Sequence, residues 1–264
     1  MDEVMTHVFD LGDATALIFG GSAGIGLACA RAYAAAGVPR IMLAARNQAR
    51  GDAAAETISG DYRDCDVRFV SADATAIDGS QTATSACVDA FGGIDILLST
   101  AGASAMPAIF HTIDINDIAP AIDGLLYGAV YPARAALPHM MERGRGVILT
   151  VASDAAKVAT PGEVAIGAAM AGIVMFSKGL AIEAKRSGIR VNCLTPSIVR
   201  DTPLYDQLMA DPFAGRLFAK AEQLAGLGVA EPGDLAQMAV YLASPAAARL
   251  TGQAISINGG ISAG

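Results

Sequence analysis

The sequence predicts an α/β fold, a single doubly wound parallel sheet of about seven strands with helices on both faces. Three observations predict it. Short apolar runs alternate with longer helical stretches along the 264 residues. The first of the strand-like runs, ATALIF (14–19), is apolar almost throughout, which suits a strand buried on both faces. A glycine-rich turn, FGGSAGIG (19–26), lies between the first run and the first helix. No repeat or low-complexity linker divides the chain, so 1–264 reads as one domain. A chain of this length buries most of its apolar surface without disulfides or metals.

Each element follows from its residues. ATALIF (14–19) is the first buried strand. Gly20 to Gly26 form the turn, and a helix follows to Ala36, with Gly37 as a natural stop. IMLAA (41–45), DVRFV (66–70) and DILLS (95–99) are the next strands. A long helix is expected from Ile115 to Met141, then the strand GVILTVA (146–152). Another helix covers Val164 to Lys185 and leads into the strand IRVNCL (189–194). After Pro196 the chain reads as irregular and partly helical, a lid-like stretch over 197–228. A helix near 233–243 and the strand AISIN (254–258) complete the fold.

Composition narrows the function. Hydrophobic residues make up 53% of the chain but aromatics only 5%, so the apolar content is mostly Ala, Ile, Leu and Val, which suits helices packed closely on a sheet. No apolar run reaches ~18 residues, so no membrane span is expected. The start, MDEVMTHVFDLGD, lacks a signal peptide's basic and apolar regions. A cytoplasmic location is the expectation. Cys29, Cys65, Cys87 and Cys193 are scattered without a CxxC pair, which favours isolated thiols over a metal site or disulfide framework. The net charge of −8 disfavours nucleic-acid phosphates as partners.

The glycine turn carries the chemistry. Gly20 permits a tight turn, while Gly24 and Gly26 permit close backbone approach and helix–strand packing. The N–H groups at the helix start then favour a pyrophosphate. The turn resembles the TGxxxGxG of the short-chain dehydrogenase/reductase family, with Phe19 in place of Thr. The likeness continues through RNQARGDAAAE (46–56), SADAT (71–75) and LLSTAG (97–102), where Ser99 and Thr100 replace two Asn. It extends through RAALPHM (134–140), GIRVNCLTPSIV (188–199), where Ser197 replaces Gly, and LTGQAISINGG (250–260).

This resemblance implies a Rossmann domain and a nicotinamide cofactor. It places cofactor contacts at Gly20, Ser22, Gly24, Ile25, Gly26, Arg46, Asp73, Ala101 and Gly102. The second strand ends Ala44, Ala45, Arg46, without the acid that binds the ribose hydroxyls of NAD. Arg46 suits a 2′-phosphate, so NADP(H) is the expected cofactor, bound weakly or not at all. Two plainer readings stay open: Arg46 as a solvated surface charge, and the glycines as demands of the turn alone.

The family's proton relay is where the resemblance fails. Carbonyl reduction in this family uses a Tyr acid, a Lys one helical turn later, a Ser that polarises the substrate oxygen and an Asn on the long helix. The Ser falls on Ser153, the Tyr thirteen residues later on Ile166, the Lys on Met170 and the Asn on Leu125. Neither Ile nor Met can titrate or donate a hydroxyl proton. Asp154, Lys157 and His111 are the nearest substitutes. Lys178, Tyr127, Tyr131 and His139 read as surface, outward-facing or structural groups, and His7 lies near the start.

Three functions are consistent with this pattern. The first is a non-catalytic subunit paired with a catalytically intact relative, or otherwise a homo-oligomer. Heteromeric hydroxyacyl-CoA dehydrogenases of this family, including that of the benzylsuccinate (anaerobic toluene) pathway, offer the precedent. Such a chain would be inactive alone. The second is an active NADP(H)-dependent oxidoreductase, or a lyase or isomerase, with rewired acid–base residues. The third is a nucleotide-binding sensor. The substrate is not legible, because the 197–228 stretch takes its specificity from folded shape.

Overall fold

Strands apolar on both faces need helices on both faces, and the computed structural model, which describes residues 11–102 and 105–263, provides them. Its strands are β1 (Thr15–Phe19), β2 (Arg40–Ala45), β3 (Asp66–Ser71), β4 (Ile96–Ser99), β5 (Gly146–Val151), β6 (Ile189–Pro196) and β7 (Ala254–Ile257). They form one parallel sheet in the order β3-β2-β1-β4-β5-β6-β7. His7 lies outside the described residues.

Side-chain alternation splits the core in two. Ala16 and Ile18 of β1 pack on one face with Leu98 and Leu149. That face is covered by α1 (Gly24–Ala35) and α8 (Pro232–Ala243), through Cys29, Tyr33, Leu235 and Leu242. Leu17 and Phe19 point to the other face with Leu97 and Ile148. There they meet α3 (Ile77–Phe91), α4 (Ile115–Arg143) and α5 (Val164–Ala184), through Cys87, Met140 and Ala181. All four cysteines are free and buried, and burial pushes the Cys29 and Cys87 thiols up to about 12.

The remaining helices are α2 (Gln48–Asp61), α6 (Pro203–Ala210) and α7 (Pro212–Leu224). The stretch after Pro196, expected to be irregular and partly helical, is largely helical. Its two helices start on strong local signals. Thr202 caps α6 and Asp211 caps α7, each followed by a proline in the first turn.

Polar bonds pin the base of the sheet. Asp95, just before β4, accepts from the Thr15 amide at 2.9 Å, from Arg143 at 3.0 Å and from Arg145 at 2.7 Å. Residues Val164–Ser187 form one helical stretch long and apolar enough to cross a membrane. Here that stretch packs against β6 and α4, with Ile173, Ser177 and Ala181 buried.

The strand order reverses between β1 and β4. Phe19 lies opposite both Ala44 and Ser99, so the carboxyl ends of β2, β1 and β4 stand level. Doubly wound sheets bind their ligands in the crevice this reversal creates.

Candidate active site

The glycine turn forms the floor of the crevice. Gly20 has φ +80° and Gly24 φ +50°, backbone that side chains rarely adopt. The Gly20 amide donates to the Ala44 carbonyl at 2.8 Å. A Cβ on Gly26 would collide with the Gly20 carbonyl oxygen and come within 2.8 Å of Thr100 Oγ1. Thr100 itself is fixed, its Oγ1 donating to the Phe19 carbonyl at 3.0 Å. Phe19, where the family carries Thr, is 1% exposed and belongs to the core.

The start of α1 suits an anion. Its N-cap is Ala23, which has no side-chain oxygen, and its first turn, with Gly24, Ile25 and Gly26, holds no acid. The first N–H groups are thus left for an incoming acceptor. Beside the turn, Ser22 is buried and accepts from Arg50 Nε at 3.3 Å. Arg50 gets there because Asn47 caps α2, its side chain accepting from the Arg50 amide at 2.9 Å. Arg46 and Arg50 are both exposed at the end of β2, one before the cap and one after it. Sequence reading singled out Arg46 and missed Arg50. On the far side of β2, Asp73 is oriented by Thr75, which donates to Oδ1 from its amide at 2.9 Å and its hydroxyl at 2.8 Å.

Ala101 and Gly102 follow β4 and meet α4. A Cβ on Gly128 would run into the Ala101 carbonyl, so this glycine lets the long helix approach. Gly102 faces Leu125: a Cβ there would sit 3.7 Å from the Leu125 Cα. Leu125 thus borders the crevice where the family pattern has Asn.

The catalytic face is hydrocarbon. α5 begins against the 3-10 turn Asp154–Ala156, close enough that a Cβ on Gly167 would lie 2.9 Å from the Ala155 carbonyl. This sets the first turns of α5 against the turn that follows Ser153. Met170 packs against a cluster of Ala129, Ala152, Ile173, Val174 and Cys193, so its thioether is part of the packing. Ser153 Oγ accepts from the Ala155 amide at 3.2 Å and caps the turn.

The candidate substitutes have other engagements. Asp154 is 6% exposed and accepts from Asn258 Nδ2 at 2.7 Å, from Ser262 Oγ and from Ser256 Oγ at 3.3 Å. Lys157 Nζ turns to β7, donating to the Ala254 carbonyl at 3.0 Å and Ser256 Oγ at 2.7 Å. His111 is exposed on the 3-10 turn Phe110–Thr112. Tyr127 stacks on Tyr131 with ring centroids 4.7 Å apart.

One titratable group was not foreseen. Glu163 is the N-cap residue of α5, one helical turn before Ile166. It lines a cleft of about 210 Å3 with Ser153, Asp154 and Ser197, closed on the other side by Phe218 and Leu224 of α7. Burial pushes its carboxyl above the ordinary range, a hydrogen bond from Thr160 opposes this, and the Asp154 charge adds to it. Only a search for carboxylates one turn from the Tyr position would have found it.

Fold and turn together define a dinucleotide-binding α/β protein of the Rossmann type. A family profile described as enoyl-(acyl carrier protein) reductase matches residues 20–262. The chain is 37% identical to D-threitol dehydrogenase of Mycolicibacterium smegmatis, over 96% of this chain and 94% of that one. It is 30% identical to 3-oxoacyl-[acyl-carrier-protein] reductase of Chlamydia pneumoniae, over 93% and 95% of the two chains. A short chain oxidoreductase of Pseudomonas aeruginosa, solved with NADPH bound and described as containing an atypical catalytic center, superposes with a TM-score of 0.88 at 27% identity, covering 97% of this chain and 99% of that one. The chain belongs to the short-chain dehydrogenase/reductase family of oxidoreductases.

Proposed function

We propose that this chain is a non-catalytic, cytoplasmic subunit that assembles with a catalytically intact family member, an NAD(P)-dependent hydroxyacyl or alcohol dehydrogenase. One observation carries the reading: the family's spacing from Ser153 puts the Tyr and Lys positions on Ile166 and Met170, and Met170 is packed into hydrocarbon. Hydride transfer to or from a carbonyl makes or consumes an alkoxide, whose proton must come from a titratable group. Losing such an acid removes roughly 10²–10⁴-fold in rate.

NADP(H) fits one end of the crevice and not the other. The turn at Gly20, Gly24 and Gly26 and the uncapped start of α1 would hold the pyrophosphate. Arg46 and Arg50 would hold a 2′-phosphate, and Asp73 lies on the adenine side. When bound, the cofactor supplies the hydride. Met170 offers the nicotinamide ribose no hydrogen bond, so binding is weak.

The outer face of α5 supports assembly. Val164, Ala168, Ala171, Met175 and Ile182 recur every three or four residues, with one longer step, and are all exposed. Val164 is 55%, Met175 67% and Ile182 63% exposed. A stripe of this kind on a soluble chain marks an interaction surface.

The test is a dehydrogenase and reductase assay on the purified chain, alone and with the relative that co-purifies from its native source. The expected result is no turnover alone and turnover in the mixture. NADP(H) turnover by the single chain, lost on Glu163→Gln, would overturn the reading and establish rewired acid–base chemistry.

A further inference from the structure

We propose that the cleft beside Ser153 binds a small organic cation, an apolar body carrying an ammonium group that pairs with Glu163. The cleft, about 210 Å3 in volume, has room for a ligand of benzyl or cyclohexyl size. Its walls are apolar: Val158 from the loop after β5, Leu217, Phe218 and Leu224 from α7, and Ile261 from the chain end. These bury a hydrocarbon body and exclude water around the head group.

Charge decides what that head group is. Three elements place ionisable groups on the cleft. The loop after β5 contributes Asp154, α5 contributes Glu163 at its N-cap, and α7 contributes Lys220. Asp154 is buried and its oxygens accept from Asn258, Ser262 and Ser256, so this carboxylate is already engaged. Lys157, the nearest cation on the same loop, is directed to β7. Lys220 is exposed at the rim, where solvent screens it. Glu163 accepts from Thr160 alone among the cleft side chains, so its carboxylate has acceptor capacity for a ligand, and burial disfavours its charge. An ammonium would supply the counter-charge inside the low-dielectric cleft. An anion would face two carboxylates there, so the site also selects against acids.

The inference goes beyond the subunit reading and does not rest on it, because the cleft is built within this chain alone. The experiment is calorimetric titration of the purified full-length protein with phenethylammonium, phenethyl alcohol and phenylpropionate at pH 8 and low salt. The ammonium is expected to bind roughly tenfold or more tightly than the alcohol, as charge-assisted hydrogen bonds are about twice as strong as neutral ones. Glu163→Gln should remove that preference, and lowering the pH should weaken ammonium binding as Glu163 takes up a proton. Leu217→Trp, which fills the cleft from its apolar wall, should abolish binding with Glu163 intact. Tighter binding of phenylpropionate, unchanged ammonium binding in both variants, or no binding of any of the three would overturn the proposal. None of these outcomes bears on whether the chain pairs with a catalytic relative.

Discussion

Asn258 donates its amide to Asp154 Oδ2 at 2.7 Å, joining the end of the last strand to the turn that follows Ser153. Ser262 donates to the same oxygen, so residues after β7 are clasped to the loop that follows β5. Asp154 therefore acts here as a structural acceptor. Replacing it by Ala removes an acceptor from the buried Asn258 amide and the partly exposed Ser262 and Ser256 hydroxyls, while Asn258 keeps Ser262 as a partner, a loss of about 1–3 kcal/mol in all. Urea unfolding should show a loss of that order for Asp154→Ala, and a smaller one for Ser262→Ala, whose side chain is partly exposed. Equal stability of Asp154→Ala and the parent would refute the assignment.

The turn offers a second check. A Cβ on Gly26 meets the Gly20 carbonyl and Thr100 Oγ1, both backed by fixed backbone. Gly26→Ala should cost about 1–3 kcal/mol through overpacking. It should also abolish nucleotide binding, measured by cofactor fluorescence. A variant that retains full affinity would show that the turn does not contact the dinucleotide.

The proposed preference for NADP(H) assigns the 2′-phosphate to Arg46 and Arg50. Hydrogen bonds to charged groups are worth about 1.5–3 kcal/mol each. Replacing both arginines by Ala should therefore lower the preference for NADPH over NADH by roughly tenfold or more, with NADH affinity nearly unchanged. An equal loss for both nucleotides would instead assign the two residues to the turn's architecture.

Much of the fold was legible because β1, β4 and β5 are short, almost wholly apolar runs. IMLAA extends by one residue to Arg40–Ala45, and AISIN ends one residue earlier, at Ile257. The lid was read as irregular and partly helical, with neither helix placed, although Thr202-Pro203 and Asp211-Pro212 are helix-start signals. The short span of α6 and the glycine at Gly215 inside α7 masked both helices. In the site, flanking motifs let the sequence propose Ile166 and Met170 as the Tyr and Lys positions. Arg50 and Glu163 could not be found this way, since each is placed by a fold-dependent event, the Asn47 cap in one case and closure by α7 in the other.

Glu163 also gives a pH signature. Its folded carboxyl titrates above the ordinary value, burial being the main cause. The contribution is favourable while the group is protonated, below its unfolded value, and is lost as pH rises through the folded one. Glu163→Gln should thus raise the melting temperature at pH 8 relative to the parent, with the gain shrinking toward pH 4. A gain that is the same at both pH values would contradict the assignment.

Association should report on one face of α5 only. Ala168 is exposed, whereas Ala169 is 1% exposed and faces the core. Both positions look equivalent in the sequence, but Ala169→Trp would overpack the interior and test stability. Ala168→Trp should leave the melting temperature of the isolated chain nearly unchanged while shifting sedimentation toward smaller species.

The central claim is that this chain supports hydride chemistry performed elsewhere. Purification under native conditions from its own source, with the subunits identified by native mass spectrometry, tests it most directly. The account expects the chain in a mixed oligomer with a family member that carries an intact Tyr-x-x-x-Lys helix, and activity only in that oligomer. Recovery of the chain alone or only with copies of itself, turning over NADP(H) unaided, would contradict it.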